Sequence, residues 1–173
     1  MDKVGYELYS KLLKEEMTGE AQNVAELDIK ATAYIPEEYI ESSAGRLDCY
    51  KRIAEIKSVD DYKRVLSSIE ENYGQMPSDM LNLLIISVLK SYAAKFNVKK
   101  ISVTAGKGTL ELPSLQTLSL AGVKAALDQY RDKVTISMTH APVLVFGGSS
   151  NQTKIMLQMS KFLKYALTFV ATS

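Results

Sequence analysis

Between Leu27 and Ile35 every second side chain is apolar: Leu27, Ile29, Ala31, Ala33 and Ile35 alternate with Asp28, Lys30, Thr32 and Tyr34. That period belongs to a strand with one buried face. Pro36, which has no amide hydrogen to donate, ends the ladder. The period then changes, because Leu47, Tyr50, Ile53 and Ala54 recur at helical spacing with Arg46, Asp48, Lys51 and Arg52 on the wetter side. Ser58 followed by Asp61 caps a further helix with the stripe Tyr62, Val65, Leu66 and Ile69. Gly74 suits the left-handed residue that closes it, and Pro77 the first turn of its successor.

A strand that feeds a run of helices needs partner strands, and the second half of the chain supplies them. Ser78–Phe96 reads as a helix whose apolar stripe (Leu81, Leu84, Ile85, Val88, Tyr92, Phe96) is widened by Leu83, Ile86 and Leu89, as in a central core helix. Ile101 and Val103, then Leu110 and Leu112, alternate on either side of AGKG and predict a hairpin. A helix over 114–130, strands over 134–139 and 143–146 broken by Pro142, and a final helix over 151–170 complete the pattern. In front of all this, 4–17 reads as a helix and 18–23 as a polar joint. The expected class is α+β: one domain, a helical cluster packed with a small mixed or antiparallel sheet that includes a hairpin near 100–113.

The balance of charge narrows the partners. Twenty-one basic and twenty acidic side chains are scattered along the chain to a net +1, which is not the footprint of a phosphate-backbone binder. Direct nucleic-acid binding is therefore not expected. Cys49, the single cysteine, excludes an internal disulfide and fits a reducing compartment, and the N-terminus has no apolar signal core. The most apolar segment, 155–170, is interrupted by Lys161 and Lys164 and falls short of a membrane span. A cytoplasmic chain without membrane contact is expected.

Catalytic chemistry is hard to assemble from these residues. AGKGT at 105–109 lacks the spacing of a phosphate loop, and the TLELP after Gly108 reads as strand, so it is expected to be a hairpin turn. His140 is the single histidine, which leaves too few members for a zinc cluster or a histidine-containing triad. Cys49 lies beside Asp48, which opposes thiolate formation. Adjacent carboxylates such as Glu70 and Glu71 point in different directions on a helix. No catalytic residue, metal or cofactor is expected. The best small-ligand candidate is Gly147, Gly148, Ser149 and Ser150, ahead of the last helix, where backbone amides can meet an anion.

Four stretches carry a resemblance: VGYELYSKLL at 4–13, AYIPEEYI at 33–40, RLDCYKRIA at 46–54 and ENYGQMP at 71–77. In this order they resemble the C-terminal domain of the bacterial transcription-repair coupling factors, DNA translocases that displace stalled RNA polymerase and recruit nucleotide excision repair. The resemblance implies that 1–23 is a connecting helix and linker from the motor, and 24–173 a noncatalytic regulatory domain. Such a domain packs on a UvrB-like module of the same parent chain and masks the surface that UvrA would bind, so UvrA and RNA polymerase are indirect partners. The implied contact residues are Glu71, Asn72 and Tyr73; one turn earlier the family often has another acid, where this chain has Ser68, and Glu70 could replace it only by rotation of the helix. Where the family usually reads Asp-Arg-Phe-Gly, this chain has Glu71, Asn72, Tyr73 and Gly74, which keeps the acid and the aromatic ring but loses the arginine.

Overall fold

In the computed structural model the described residues are 25–170 together with Tyr9 and Lys11. Apart from those two residues, the helix expected over 4–17 lies outside them, as do the joint over 18–23 and the division at residue 23. The elements are β1 (Glu26–Ile29), α1 (Ser43–Ala54), α2 (Val59–Tyr73), α3 (Ser78–Ala94), β2 (Lys100–Thr104), β3 (Lys107–Glu111), a 3-10 turn (Leu115–Ser119), α4 (Ala121–Gln129), β4 (Val134–Met138), β5 (Pro142–Phe146) and α5 (Gln152–Val170). The class is α+β, with a five-stranded mixed sheet in the order β1-β2-β3-β5-β4. β1 runs parallel to β2, and the other neighbours are antiparallel. Two compact units divide the chain: 32–91 with Tyr9 and Lys11, and 25–31 with 92–170.

In the first unit the caps follow the sequence. Ser42 Oγ accepts from Gly45 N at 3.1 Å to open α1, and Ser58 Oγ accepts from Asp61 N at 3.1 Å to open α2. Asp61 in turn accepts from Lys57 N at 2.9 Å, which satisfies a second amide at that end. Gly74 closes α2 at φ +86°, and the Pro77 carbonyl accepts from Leu81 N at 3.0 Å to start α3. Tyr50, Ile53 and Ala54 are buried as their spacing predicts, whereas Leu47 is exposed and Cys49 takes its place inside.

The first strand is shorter than its alternation predicts. Ala33 and Ile35 are buried, but the ladder ends at Ile29. Beyond it Tyr34 N donates to Asp79 O at 3.2 Å, and Ile35 N donates to the Tyr50 hydroxyl at 3.0 Å. Burial alternates only at Ala33 and Ile35, whereas Leu27, Asp28 and Ile29 are all half-buried, and the backbone bonds at 34 and 35 go to a helix carbonyl and a tyrosine instead of a strand.

In the second unit AGKGT is the β2–β3 turn, with Gly106 at φ +93°. Gly108 sits beneath α5: a Cβ there would stand 2.6 Å from both Ile155 Cγ2 and Met159 Sδ. The helix expected over 114–130 is split, because Leu120 is extended (ψ 135°) between the 3-10 turn and α4. Ser114, Thr117 and Ser119 compete for backbone bonds and favour such a break. Gly122 then lets α4 approach α5, where a Cβ would lie 2.1 Å from the Ala166 carbonyl oxygen. Pro142 is the first residue of β5 and pairs with Met138; its missing amide faces Leu112, just past the end of β3, and is tolerated at a strand's first position.

Candidate functional site

Tyr9 and the stretches at 33–40, 46–54 and 71–77 meet in the first unit. The Tyr9 hydroxyl donates to Leu83 O at 2.8 Å and lies 2.6 Å from Ser87 Oγ, and its ring centroid is 6.3 Å from that of Tyr50. Tyr50 in turn holds Ile35 N. Arg46 Nη1 donates to both Ile40 O and Glu41 O at 2.9 Å, which locks the turn that follows Pro36. Gly45 packs closely beside that turn, where a Cβ would come within 3.1 Å of Ile40 Cγ2 and require that side chain to shift by a few tenths of an ångström.

This turn carries Tyr39 to the C-terminal end of α2. The Tyr39 hydroxyl donates to Gly74 O at 2.6 Å, and the Tyr39 and Tyr73 rings are 5.9 Å apart at 51°. Burial raises the pKa of the Tyr39 hydroxyl above its ordinary 10.0, and the Glu70 carboxylate raises it further. Tyr62 is raised for the same two reasons, burial first.

The five residues of the implied contact divide by surroundings. Glu70 is half-buried and its Oε2 accepts from Met76 N at 2.8 Å, so it closes the loop after α2. Ser68 is also half-buried; its Oγ accepts from Arg52 Nη2 at 2.6 Å, and its carbonyl accepts from Asn72 Nδ2 at 3.3 Å. Glu71, Asn72 and Tyr73 are exposed together, Tyr73 at 43% despite its ring partner. The last turn of α2 contains no basic residue. Glu71 therefore faces the negative end of the helix dipole, an arrangement that costs about 0.3–1 kcal/mol and that a cation would relieve.

The glycine-serine loop lies in the second unit, as the lead-in to α5. Ser149 Oγ accepts from Asn151 N at 3.0 Å, and Asn151 Oδ1 accepts from Lys154 N at 3.2 Å. Asn151 is the cap, so the residue expected to begin the helix instead precedes it. Gly148 has φ +90°. Gly147 and Gly148 border a cleft of about 400 Å³ shared with Lys133, Asp132 and Gln158.

Other reactive groups are scattered. Cys49 is buried, and burial raises its thiol pKa, with Arg52 opposing the shift and Asp48 adding to it. His140 is exposed in the turn between β4 and β5. Among the described residues no group of three or more His, Cys, Asp or Glu side chains is placed to hold a metal, and no helix is long and apolar enough to cross a membrane. Sequence reasoning missed Tyr39 and Arg52. Their partners lie 35 and 16 residues away, so no local pattern marks them.

Comparison with known proteins gives this geometry a family. The chain is 31% identical over 108 residues to the transcription-repair-coupling factor of Bacillus subtilis, covering 58% of this chain and 9% of that protein. The Escherichia coli protein of the same name is 24% identical over 125 residues, covering 64% of this chain and 11% of its own length. The chain thus spans about a tenth of the curated relatives it matches. A crystal structure of the C-terminal domain of a transcription-repair coupling factor superposes with a TM-score of 0.71 at 22% identity, covering 84% of this chain and 93% of that one, and so has the same fold. The profile of the TRCF domain matches residues 29–123, more than half of the chain, and the chain belongs to the TRCF domain family.

Proposed function

We propose that this chain is the noncatalytic C-terminal regulatory domain of a transcription-repair coupling factor, a cytoplasmic ATP-dependent DNA translocase, and that it acts as a lid on the UvrB-like module of the same protein. In the closed state it masks the surface to which UvrA binds. The observation that carries this reading is the exposed Glu71-Asn72-Tyr73 ridge, held out by Tyr39 and left without a compensating cation at the end of α2. Glu70 and Ser68 support the ridge from within; Glu71 is the acid offered to a basic partner.

The energetics suit a tethered lid. A module joined by a linker competes at an effective concentration on the order of 1 mM, so a small interface masks a site that a free domain would hardly hold. One exposed ion pair contributes up to about 1 kcal/mol, whereas reversing a population from 1:99 to 99:1 takes about 5.5 kcal/mol. Glu71 therefore works within a network that includes the Tyr73 ring. Because the free domain binds weakly, the test titrates the purified chain at concentrations up to about 1 mM into the isolated UvrB-like module and compares it with the Glu71→Lys variant. Binding that the charge reversal weakens several-fold is expected; equal binding by both chains counts against the reading.

A second reading uses the cleft beside Gly147 and Gly148 for a small anion, favoured by Lys133 in its wall. A rise in melting temperature with phosphate or nucleotides, lost in Lys133→Ala, would support it.

A further inference from the structure

Among the described residues the sheet of the second unit has no strand beyond β4. β4 is an edge strand, and from Thr135 to Met138 every residue is exposed. Ile136 pairs with Leu144, so both lie on the face that α5 covers over Gly108, yet Leu144 is buried while Ile136 and Met138 are 46% and 56% exposed. The usual protections of an edge are missing, since VTISM contains no lysine, proline or other charge.

The phase of the ladder fixes which backbone groups are open. Leu112 N donates to Pro142 O, so residues 142, 144 and 146 of β5 address β3, and 143 and 145 address β4. Their partners on β4 are Ser137 and Thr135, which leaves the backbone groups of Val134, Ile136 and Met138 directed outward. Val134 N already donates to Tyr130 O at 3.1 Å.

We infer that this edge pairs with the β4 of a second copy of the chain, antiparallel, about a two-fold axis at Ile136. That register places Ile136 opposite its own copy and Val134 opposite Met138, with Thr135 opposite Ser137 on the other face. Outward groups then meet outward groups: Ile136 N meets the partner's Ile136 O, and Met138 N meets the partner's Val134 O. The Val134 amide, already satisfied, is not required. Just outside the strand the same register sets Asp132 opposite His140 and Lys133 opposite Thr139, so no like charges face each other. Two five-residue strands bury well below the roughly 1,200 Å² of a stable complex, so the dimer is weak and half-formed only at concentrations on the order of 1 mM.

Ile136 is the one strand position that meets itself, and this makes the register testable in the full chain. Paired Cα atoms there would be about 5.5 Å apart, within disulfide range. Cys49 is buried and does not compete. In a glutathione redox buffer Ile136→Cys should cross-link at least about tenfold faster than Leu115→Cys, an exposed site away from the edge, because the axis concentrates its thiols. In sedimentation equilibrium the average mass of the unmodified chain should rise with concentration, and Ile136→Lys should remain monomeric with an unchanged circular dichroism spectrum. Equal cross-linking rates, a constant monomer mass, or self-association that survives Ile136→Lys would overturn the inference.

Discussion

Tyr39 and Gly74 are joined by a 2.6 Å hydrogen bond across thirty-five residues of chain, and through it the turn after Pro36 sets the end of α2. Gly74 O is one of the terminal carbonyls that a helix leaves without an internal partner. Tyr39→Phe should therefore cost about 1 kcal/mol, read as a lower urea midpoint at unchanged slope. Amide exchange at 71–76 should quicken more than elsewhere, since the ridge loses its anchor.

Glu70 and Glu71 are neighbours with opposite roles. Glu70→Ala leaves the Met76 amide without its charged acceptor and should destabilise the chain by about 1.5–3 kcal/mol. Glu71→Lys should do the reverse, stabilising the isolated chain by about 0.3–1 kcal/mol at low salt, because a cation suits the C-terminal end of α2. Chemical denaturation of the two variants at low and high ionic strength checks both, and the Glu71→Lys gain should shrink in salt.

The contrast between these acids also marks what the sequence could reveal. Alternation at 27–35 correctly placed Ala33 and Ile35 inside and Lys30 and Thr32 outside, and the cap at Ser58, the closing Gly74 and the hairpin at Gly106 were legible because each is a local requirement of backbone geometry. The extent of β1 was not, because the amides of Tyr34 and Ile35 are satisfied by Asp79 and Tyr50, partners that periodicity does not encode. A break at Leu120 was not expected, and α5 starts at Gln152, one residue after Asn151; both lie within runs of Ser, Thr and Asn, where several oxygens compete for the same amides. At the ridge, helical spacing put Glu70 and Glu71 on different faces, but only the loop after α2 shows that Glu70 is used inside.

Gly108 and Gly122 are close-approach glycines, with two different obstacles. Gly108→Ala meets the side chains of Ile155 and Met159, which can shift, and should cost about 1–3 kcal/mol. Gly122→Ala meets the backbone oxygen of Ala166, which cannot move without separating α4 from α5, and should cost more. Thermal unfolding of the two variants should preserve that order.

Alkaline conditions should weaken the first unit. The Cys49 thiol and the Tyr39 and Tyr62 hydroxyls have pKa values raised above 9.0 and 10.0, mainly by burial. The folded chain therefore keeps these protons at a pH where the unfolded chain has released them. Their effect on stability is absent below about pH 8, and stability falls as pH climbs through the ordinary values toward the folded ones. Urea midpoints from about pH 8 to about pH 11 should decline, less steeply in Tyr62→Phe. Over the lower part of that range Cys49 should react with a thiol reagent far faster in denaturant than in buffer.

If this domain is a lid in the parent protein, its removal uncovers the UvrA-binding surface. UvrA capture by the purified full-length coupling factor, measured beside the same protein lacking this domain and beside the Glu71→Lys form, tests it most directly. Deletion should raise capture strongly and Glu71→Lys should raise it in part, since one ion pair contributes up to about 1 kcal/mol of the closed state. Capture unchanged by deletion would rule out the lid.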